Sequence, residues 1–263
     1  MSGFEPELLA ALAGVALVAG FVDAIAGGGG LLTVPALLLA GFDPVAAIAT
    51  NKLQGTFGTA SATLAFARRG LIDWRSAWAF AVVAGVSSIV GALGVRLMPR
   101  PVLEAVIPVL LVAIAIFFAR SRRMRDEDAR ARASAVAFGA SVPVGVGLYD
   151  GVFGPGAGSF YMLAFVTLLG YGIVRATAHT KLLNFASNAG SLGLYAATGA
   201  VVWPIGLAMA GAALIGAQIG SLLAVRLGGR LIRPLLVAVS GALAARLLLD
   251  PANPWRRLLA GLF

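Results

Sequence analysis

Long apolar stretches alternate with short polar intervals along the chain, and the intervals divide it into segments. Runs long enough to cross a bilayer, about 20 residues for a hydrocarbon core about 30 Å thick, fall at approximately 45–67, 75–97, 101–119, 175–198 and 203–227, with a sixth at about 232–249. Two further runs are broken by glycine. The first covers 8–26, meets Gly27-Gly28-Gly29-Gly30, and resumes only over 31–40 before Gly41-Phe42-Asp43-Pro44. The second covers 134–153, meets Gly154-Pro155-Gly156-Ala157-Gly158, and resumes over 159–169. Ten residues of helix rise about 15 Å, half a bilayer, so the resumed arm of the first run cannot cross alone. The pattern predicts two re-entrant hairpins with their glycine tips near mid-membrane. Irregular backbone is tolerated at that depth only where protein buries it or a water-filled cavity meets it.

Composition agrees. Of 263 residues, 60% are hydrophobic and 12% charged, with mean hydropathy +0.94, against about 45–50% and about 25% in soluble domains. The fold class expected is an all-α polytopic membrane protein. The chain has no cysteine, which removes disulfides, thiolate metal sites and cysteine nucleophiles; neither a metal nor a cofactor is expected. The N-terminal Met1-Ser2-Gly3-Phe4-Glu5-Pro6-Glu7 is acidic and lacks the basic start of a cleavable signal peptide.

The two halves look duplicated. Asp23-x3-Gly27 returns as Asp150-x3-Gly154, Lys52-Leu53 as Lys181-Leu182, Gly70-x3-Trp74 as Gly199-x3-Trp203, and Gly91-x4-Arg96-Leu97 as Gly220-x5-Arg226-Leu227. Four ordered matches indicate an internal repeat. It divides the chain into a first repeat at 1–119, a basic linker at 120–133 and a second repeat at 134–263. A hairpin adds no crossing and three spans are an odd number, so the second repeat must run opposite to the first. The arginines test this. With the linker in the cytoplasm, thirteen basic residues fall inside and five outside, and the remaining two, Lys52 and Lys181, lie within spans. The positive-inside rule then puts both termini outside a cell (inner) membrane. The net charge of +9 sets orientation; nucleic acid is not an expected partner. Bilayer lipid is, and association into a homo-oligomer stays open. Trp74 and Trp203, at the starts of corresponding spans, fit interfacial anchors.

The chemistry concentrates in a few polar residues inside the spans. Lys52 lies in Thr50-Asn51-Lys52-Leu53-Gln54-Gly55-Thr56 and Lys181 in His179-Thr180-Lys181-Leu182-Leu183-Asn184. An intramembrane lysine is costly unless paired or wetted. Two symmetric ones amid Thr, Asn and Gln point to an anion site, the alternative being structural bridges to helix-end carbonyls or to an aspartate. Asn184, Ser187, Asn188 and Ser191 share one helix face, as do Thr56, Thr59 and Thr63; such faces line a pathway or glue helices together. Each glycine break leads into a half-helix whose free amides and positive dipole end suit an anion. The amides meant are those of Gly28, Gly29, Gly30 and Leu31, and of Gly156, Ala157, Gly158 and Ser159. A nucleotide phosphate loop would need a preceding strand and a Gly-Lys-Ser/Thr ending, both missing. Asp23 and Asp150, one turn before the breaks, would pair with a lysine, bind a coupling cation or carry a proton. His179, the only histidine, would suit a pH-sensitive step or helix packing.

At these residues the chain resembles the TauE/SafE sulfite exporter family. The resemblance rests on Gly27–Gly30 leading into Leu31-Leu32-Thr33-Val34-Pro35, then Gly41-Phe42-Asp43-Pro44, Ala49-Thr50-Asn51-Lys52, the second glycine break and Thr180-Lys181-Leu182-Leu183-Asn184. It covers nearly the whole chain and implies export or uptake of sulfur-containing anions such as sulfite, sulfoacetate or related organosulfonates, export being the direction expected. The second break departs from a pure glycine run at Pro155 and Ala157. Spans, inverted repeat and lysines together predict a secondary transporter, not an enzyme, that works by alternating access around a midplane site. Its substrate contacts are expected from Asn51, Lys52, Gln54, Thr180, Lys181, Asn184, Asn188 and the eight break residues, with Asp23, Asp150 and His179 coupling transport to protons. A passive anion channel is the first alternative. An intramembrane aspartyl hydrolase is the second, although the Gly-x-Gly-Asp sequence of such enzymes does not occur here.

Overall fold

The computed structural model describes residues 4–95 and 127–228, and all its described regular structure is helical. The expected spans at 101–119 and 232–249, and the first half of the linker, lie outside the described residues. Eight helices follow in order: α1 (Pro6–Ala26), α2 (Gly30–Leu39), α3 (Pro44–Ala67), α4 (Trp74–Val95), α5 (Ala135–Val152), α6 (Ala157–Thr167), α7 (Ile173–Ala197) and α8 (Trp203–Leu227).

Local chemistry sets the boundaries. Asp43 starts α3 by accepting from the Val45 and Ala46 amides at 3.1 and 3.2 Å, with Pro44 at the first helical position, where its missing N–H costs nothing. Ser134 starts α5 by accepting from Ala137 N at 3.1 Å. The breaks between α1 and α2 and between α5 and α6 need glycine for a backbone reason. Gly27 and Gly28 sit at φ 75° and 94°, Gly154 and Gly156 at 88° and 84°, a region closed to most side chains. The hairpin arms are unequal: α1 has 21 residues and α2 only 10, about 31 Å against about 15 Å.

Among the described residues, α1, α4, α5 and α8 are long and apolar enough to cross a membrane. The other long helices, α3 and α7, were expected as spans and have spanning length, but they carry most of the polar residues. That becomes intelligible from the packing. The most extensive contacts all join a helix before residue 96 to one after 126: α1 with α8, α4 with α5, α3 with α8, α4 with α7 and α3 with α7. Polar faces of α3 and α7 are turned inward, while α4 and α8 leave Trp78, Val82, Val86, Leu207 and Leu214 exposed.

Two of these pairs run parallel. Leu12 and Ala16 of α1 cluster with Ile205 and Met209 of α8, and farther along Gly220 packs on Phe21. Phe80, Ala84 and Ser88 of α4 meet Gly139, Gly147 and Gly151 of α5 in the same order. Backbones touch because glycine is there: a Cβ at Gly216 would run into the Leu17 carbonyl, and one at Gly151 into the Ser88 carbonyl. Small residues permit such close helix approach in membranes. At the centre the two breaks meet, with Gly27 against Gly158, and Ser159 Oγ donating to Ala26 O at 3.0 Å.

Candidate functional site

Lys52 projects from α3 and is fully buried. Its Nζ lies 2.5 Å from Asp150 Oδ1 on α5, and the other Asp150 oxygen accepts from the Ser187 hydroxyl on α7. Lys181 projects from α7, is equally buried, and meets Asp23 Oδ2 of α1 at 3.1 Å. It also donates to the Asp23 backbone carbonyl. The remaining Asp23 oxygen accepts from the Gly29 amide at 3.1 Å, at the start of α2. The pairs are therefore crossed: each lysine of one half holds the aspartate of the other. Sequence left open which aspartate each lysine would meet, because spacing cannot show which helices pack together.

The two pairs differ in openness. Asp150 is 1% exposed, whereas the Asp23 side chain is 15% exposed. Both carboxylates border one cavity of about 400 Å³, its open mouth included. From α3 it is lined by Asn51, Gln54, Gly55, Gly58 and Thr59, from α7 by Asn184 and Asn188, from α1 by Gly20, and from the breaks by Gly28, Gly29, Gly30, Gly154, Gly156 and Gly158. No aliphatic or aromatic side chain is among them. Gln54, Gly55, Asn184 and Asn188 stand near the middle of their 24- and 25-residue helices, so the cavity sits at mid-length of α3 and α7.

Its polar groups are only partly spoken for. Thr33 Oγ1 donates to Asn51 Oδ1 at 2.5 Å, which leaves the Asn51 amide nitrogen toward Gly30. Asn188 Nδ2 donates to Asn184 O at 2.8 Å. Gln54, 3% exposed, has an Oε1 with no protein partner. A buried polar atom without a partner is costly, and this one belongs to a residue that lines the cavity.

Most expected site residues thus come together, as lining or, for the two lysines, as charge directly behind the aspartates. Four do not line the cavity: Leu31 and Ala157 are buried apolar residues, Ser159 ties the two breaks together, and Thr180 is buried. His179 stands apart as well. Its Nε2 accepts from the Asp73 amide at 3.1 Å and its Nδ1 faces Arg175 O at 2.9 Å. Because Nε2 accepts, Nδ1 carries the proton. The ring is wedged against Phe165 and Tyr171, so it ties the α3–α4 loop to α7. Ser187 and Gly154 were not expected as site residues, although the first belongs to the polar face of α7 and the second to the break motif.

Near His179, a clasp closes the same end of the molecule. Asp128 accepts from Gly172 N at 2.6 Å and pairs with Arg175 at 2.7 Å. The Gly172 amide, and secondarily Arg175, hold the Asp128 carboxyl below the usual carboxylate range.

The geometry offers a small space lined by polar side chains and glycine, with two buried ammonium groups behind its two carboxylates. Comparisons with known proteins bear on what such a space is for. A family model described as "Sulfite exporter TauE/SafE" matches residues 12–247. A "Probable membrane transporter protein ORF9" from Sinorhizobium sp is 49% identical over 95% of this chain and 96% of its own length. "Probable membrane transporter protein YfcA" of Escherichia coli K12 is 45% identical over 94% and 91%, and a "Probable membrane transporter protein" of Haemophilus influenzae 40% over 93% and 96%. No solved structure matches significantly.

Proposed function

Because this chain belongs to the TauE/SafE sulfite exporter family, a family whose similar members are named membrane transporters, we propose that it moves a small oxyanion through the central cavity by alternating access. The observation that carries the proposal is the lining: amides, hydroxyls, glycine backbone and two carboxylates, with Lys52 and Lys181 buried behind them. Asn51, Asn184, Asn188, Gln54 and the break amides donate to the anion's oxygens, and the lysines supply the compensating charge. An apolar tail would find no partner among these groups, so a compact anion such as sulfite suits the space better than a longer organosulfonate. Asp23 or Asp150 carries the coupling proton. His179 is left out of this role because backbone groups hold both its ring nitrogens.

The architecture proposed around the site is an inverted repeat, 1–119 and 134–263, joined by a cytoplasmic basic linker at 120–133, with both termini outside the inner membrane. Parallel packing of α1 with α8 and of α4 with α5 supports it, since corresponding helices of the two repeats exchange partners symmetrically. Lipid covers the exposed faces of α4 and α8. Hydrolysis is not proposed. An aspartyl dyad needs two carboxylates sharing a proton, and here each is claimed by a lysine.

Binding provides the test. Sulfite should raise the thermal midpoint of the purified protein in detergent more than sulfoacetate or taurine does. Stabilisation by taurine alone would remove the compact-anion reading, and no response to any anion would remove the site.

A further inference from the structure

The anion-binding groups of the site are not empty-handed. The Lys181 ammonium meets Asp23 Oδ2 at 3.1 Å and the Gly29 amide meets Asp23 Oδ1 at 3.1 Å. One carboxylate spans a buried cation and the N-cap amide of a 10-residue half-helix, as two oxygens of a bound oxyanion would. We propose that Asp23 is an internal stand-in for the transported anion: an incoming oxyanion displaces its carboxylate from Lys181 and Gly29, and the displaced carboxylate takes up a proton. This rests on the reading of the cavity as an anion site and deepens it.

Three features favour displacement at Asp23. Its side chain is 15% exposed and borders the cavity, so a ligand has access to it. Lys181 is separately anchored by the Asp23 backbone carbonyl, which keeps the ammonium in place when the carboxylate leaves. Gln54, 3% exposed, lines the same cavity and has an amide oxygen with no protein partner; a protonated carboxyl or a protonated oxyanion beside it would supply the missing donor. Asp150 borders the cavity too, and both its oxygens are likewise held, by Lys52 and Ser187, but at 1% exposed it gives a ligand far less access.

Charge balances in the exchange. Before binding, Asp23 and Lys181 neutralise each other. Afterwards a monoanion neutralises Lys181 and Asp23 is protonated, the proton coming from water in the cavity. One proton enters with each negative charge. The other charged group lining this space is Asp150 from α5, with its partner Lys52 from α3 buried behind it; α2 contains no titratable side chain, and α8 only Arg226 in its last turn. Because Lys52 and Asp150 neutralise each other, the linked proton belongs to Asp23.

The test is calorimetric titration of the purified full-length protein with sulfate and methanesulfonate, whose charges stay constant between about pH 5.5 and about pH 7.5, and with sulfite as a third probe. Wild-type affinity for methanesulfonate should weaken by about tenfold per pH unit, the signature of one linked proton. Asp23→Asn should bind at least about tenfold more tightly at the upper end of that range and lose the pH slope. Weaker binding by Asp23→Asn, or a retained slope, overturns the displacement while leaving the anion site standing. If the wild type binds none of the probes, the anion reading itself falls and the displacement with it. Should the variant not fold, infrared difference spectra of the wild type decide. A protonated-carboxyl band appearing on anion addition supports the proposal, and binding without that band overturns it.

Discussion

Removing one partner of a buried ion pair leaves a charge in a medium that cannot solvate it, at a cost of about 3–5 kcal/mol. Lys52 and Asp150 meet this description closely: their side chains are 0% and 1% exposed and 2.5 Å apart. Lys52→Met should therefore lower stability by about 3–5 kcal/mol, a fall of about 6–20 °C in thermal midpoint at about 2–4 °C per kcal/mol. Lys52→Met with Asp150→Leu removes both charges and should recover much of the loss, because replacing a whole buried pair with apolar groups is often near neutral. Lys181→Met should cost less, since the Asp23 side chain is 15% exposed and can be hydrated or protonated. Double-mutant cycles by thermal and chemical denaturation in detergent isolate the couplings. The pairs 52/150 and 181/23 should each couple, within the about 0.5–3 kcal/mol seen for contacting residues. The pairs 52/23 and 181/150 should add within about 0.5 kcal/mol. Coupling concentrated in 52/23 and 181/150 would refute the crossed arrangement.

Other consequences follow from single positions. Gly27→Ala places a Cβ at φ 75° against the Ser159 backbone; a loss of about 1–3 kcal/mol with impaired anion flux is expected, whereas unchanged flux would show that the contact between breaks is dispensable. Gln54→Leu puts an apolar group into the polar cavity, so anion affinity should fall about tenfold or more while the thermal midpoint of the unliganded protein holds or rises. His179→Phe loses bonds to Asp73 N and Arg175 O and should cost about 1–3 kcal/mol without moving the pH profile of transport; a shifted profile would return the histidine to the mechanism. Asp128→Asn probes acid sensitivity. Because the folded state holds the Asp128 carboxyl below its ordinary value, its contribution is present above the unfolded pKa of about 3.9 and fades as pH falls through the folded value. The stability gap between wild type and variant should be under about 1 kcal/mol at neutral pH, as for exposed pairs, and should close in acid.

How far the sequence disclosed this protein depends on the interaction concerned. Helix ends were legible because they are local: Asp43-Pro44, Ser134 and the glycine runs act within a turn or two, and the helices begin and end within a few residues of the apolar runs. Asn51, Gln54 and Asn184 stood out as polar residues within apolar spans, and they line the cavity; of the two readings open for the lysines, the bridges to aspartates are the contacts they make. Long-range partners were not legible. Nothing in the spacing of Lys52 and Asp150, 98 residues apart, shows that α3 and α5 bring them together, and Ser187 became a site residue only once Asp150 was found beside it. The partner of His179 was hidden for a related reason: the ring, two positions before Lys181, lies on a different face, where it binds backbone of the α3–α4 loop. The spanning length expected of α3 and α7 is there, but that their polar residues turn inward against neighbouring helices depends on packing that local sequence does not carry.

Tracer sulfite uptake into proteoliposomes under an imposed proton gradient tests the central claim most directly. The wild type is expected to accumulate sulfite against its gradient when protons flow with it, and the Asp23→Asn/Lys181→Met double variant, which removes both charges of the open pair, to lose the accumulation while remaining folded. Sulfite flux indistinguishable from that of protein-free vesicles, or accumulation undiminished in the double variant, would contradict a transport site built on these residues. Flux that only runs downhill and ignores the proton gradient would make the protein a channel.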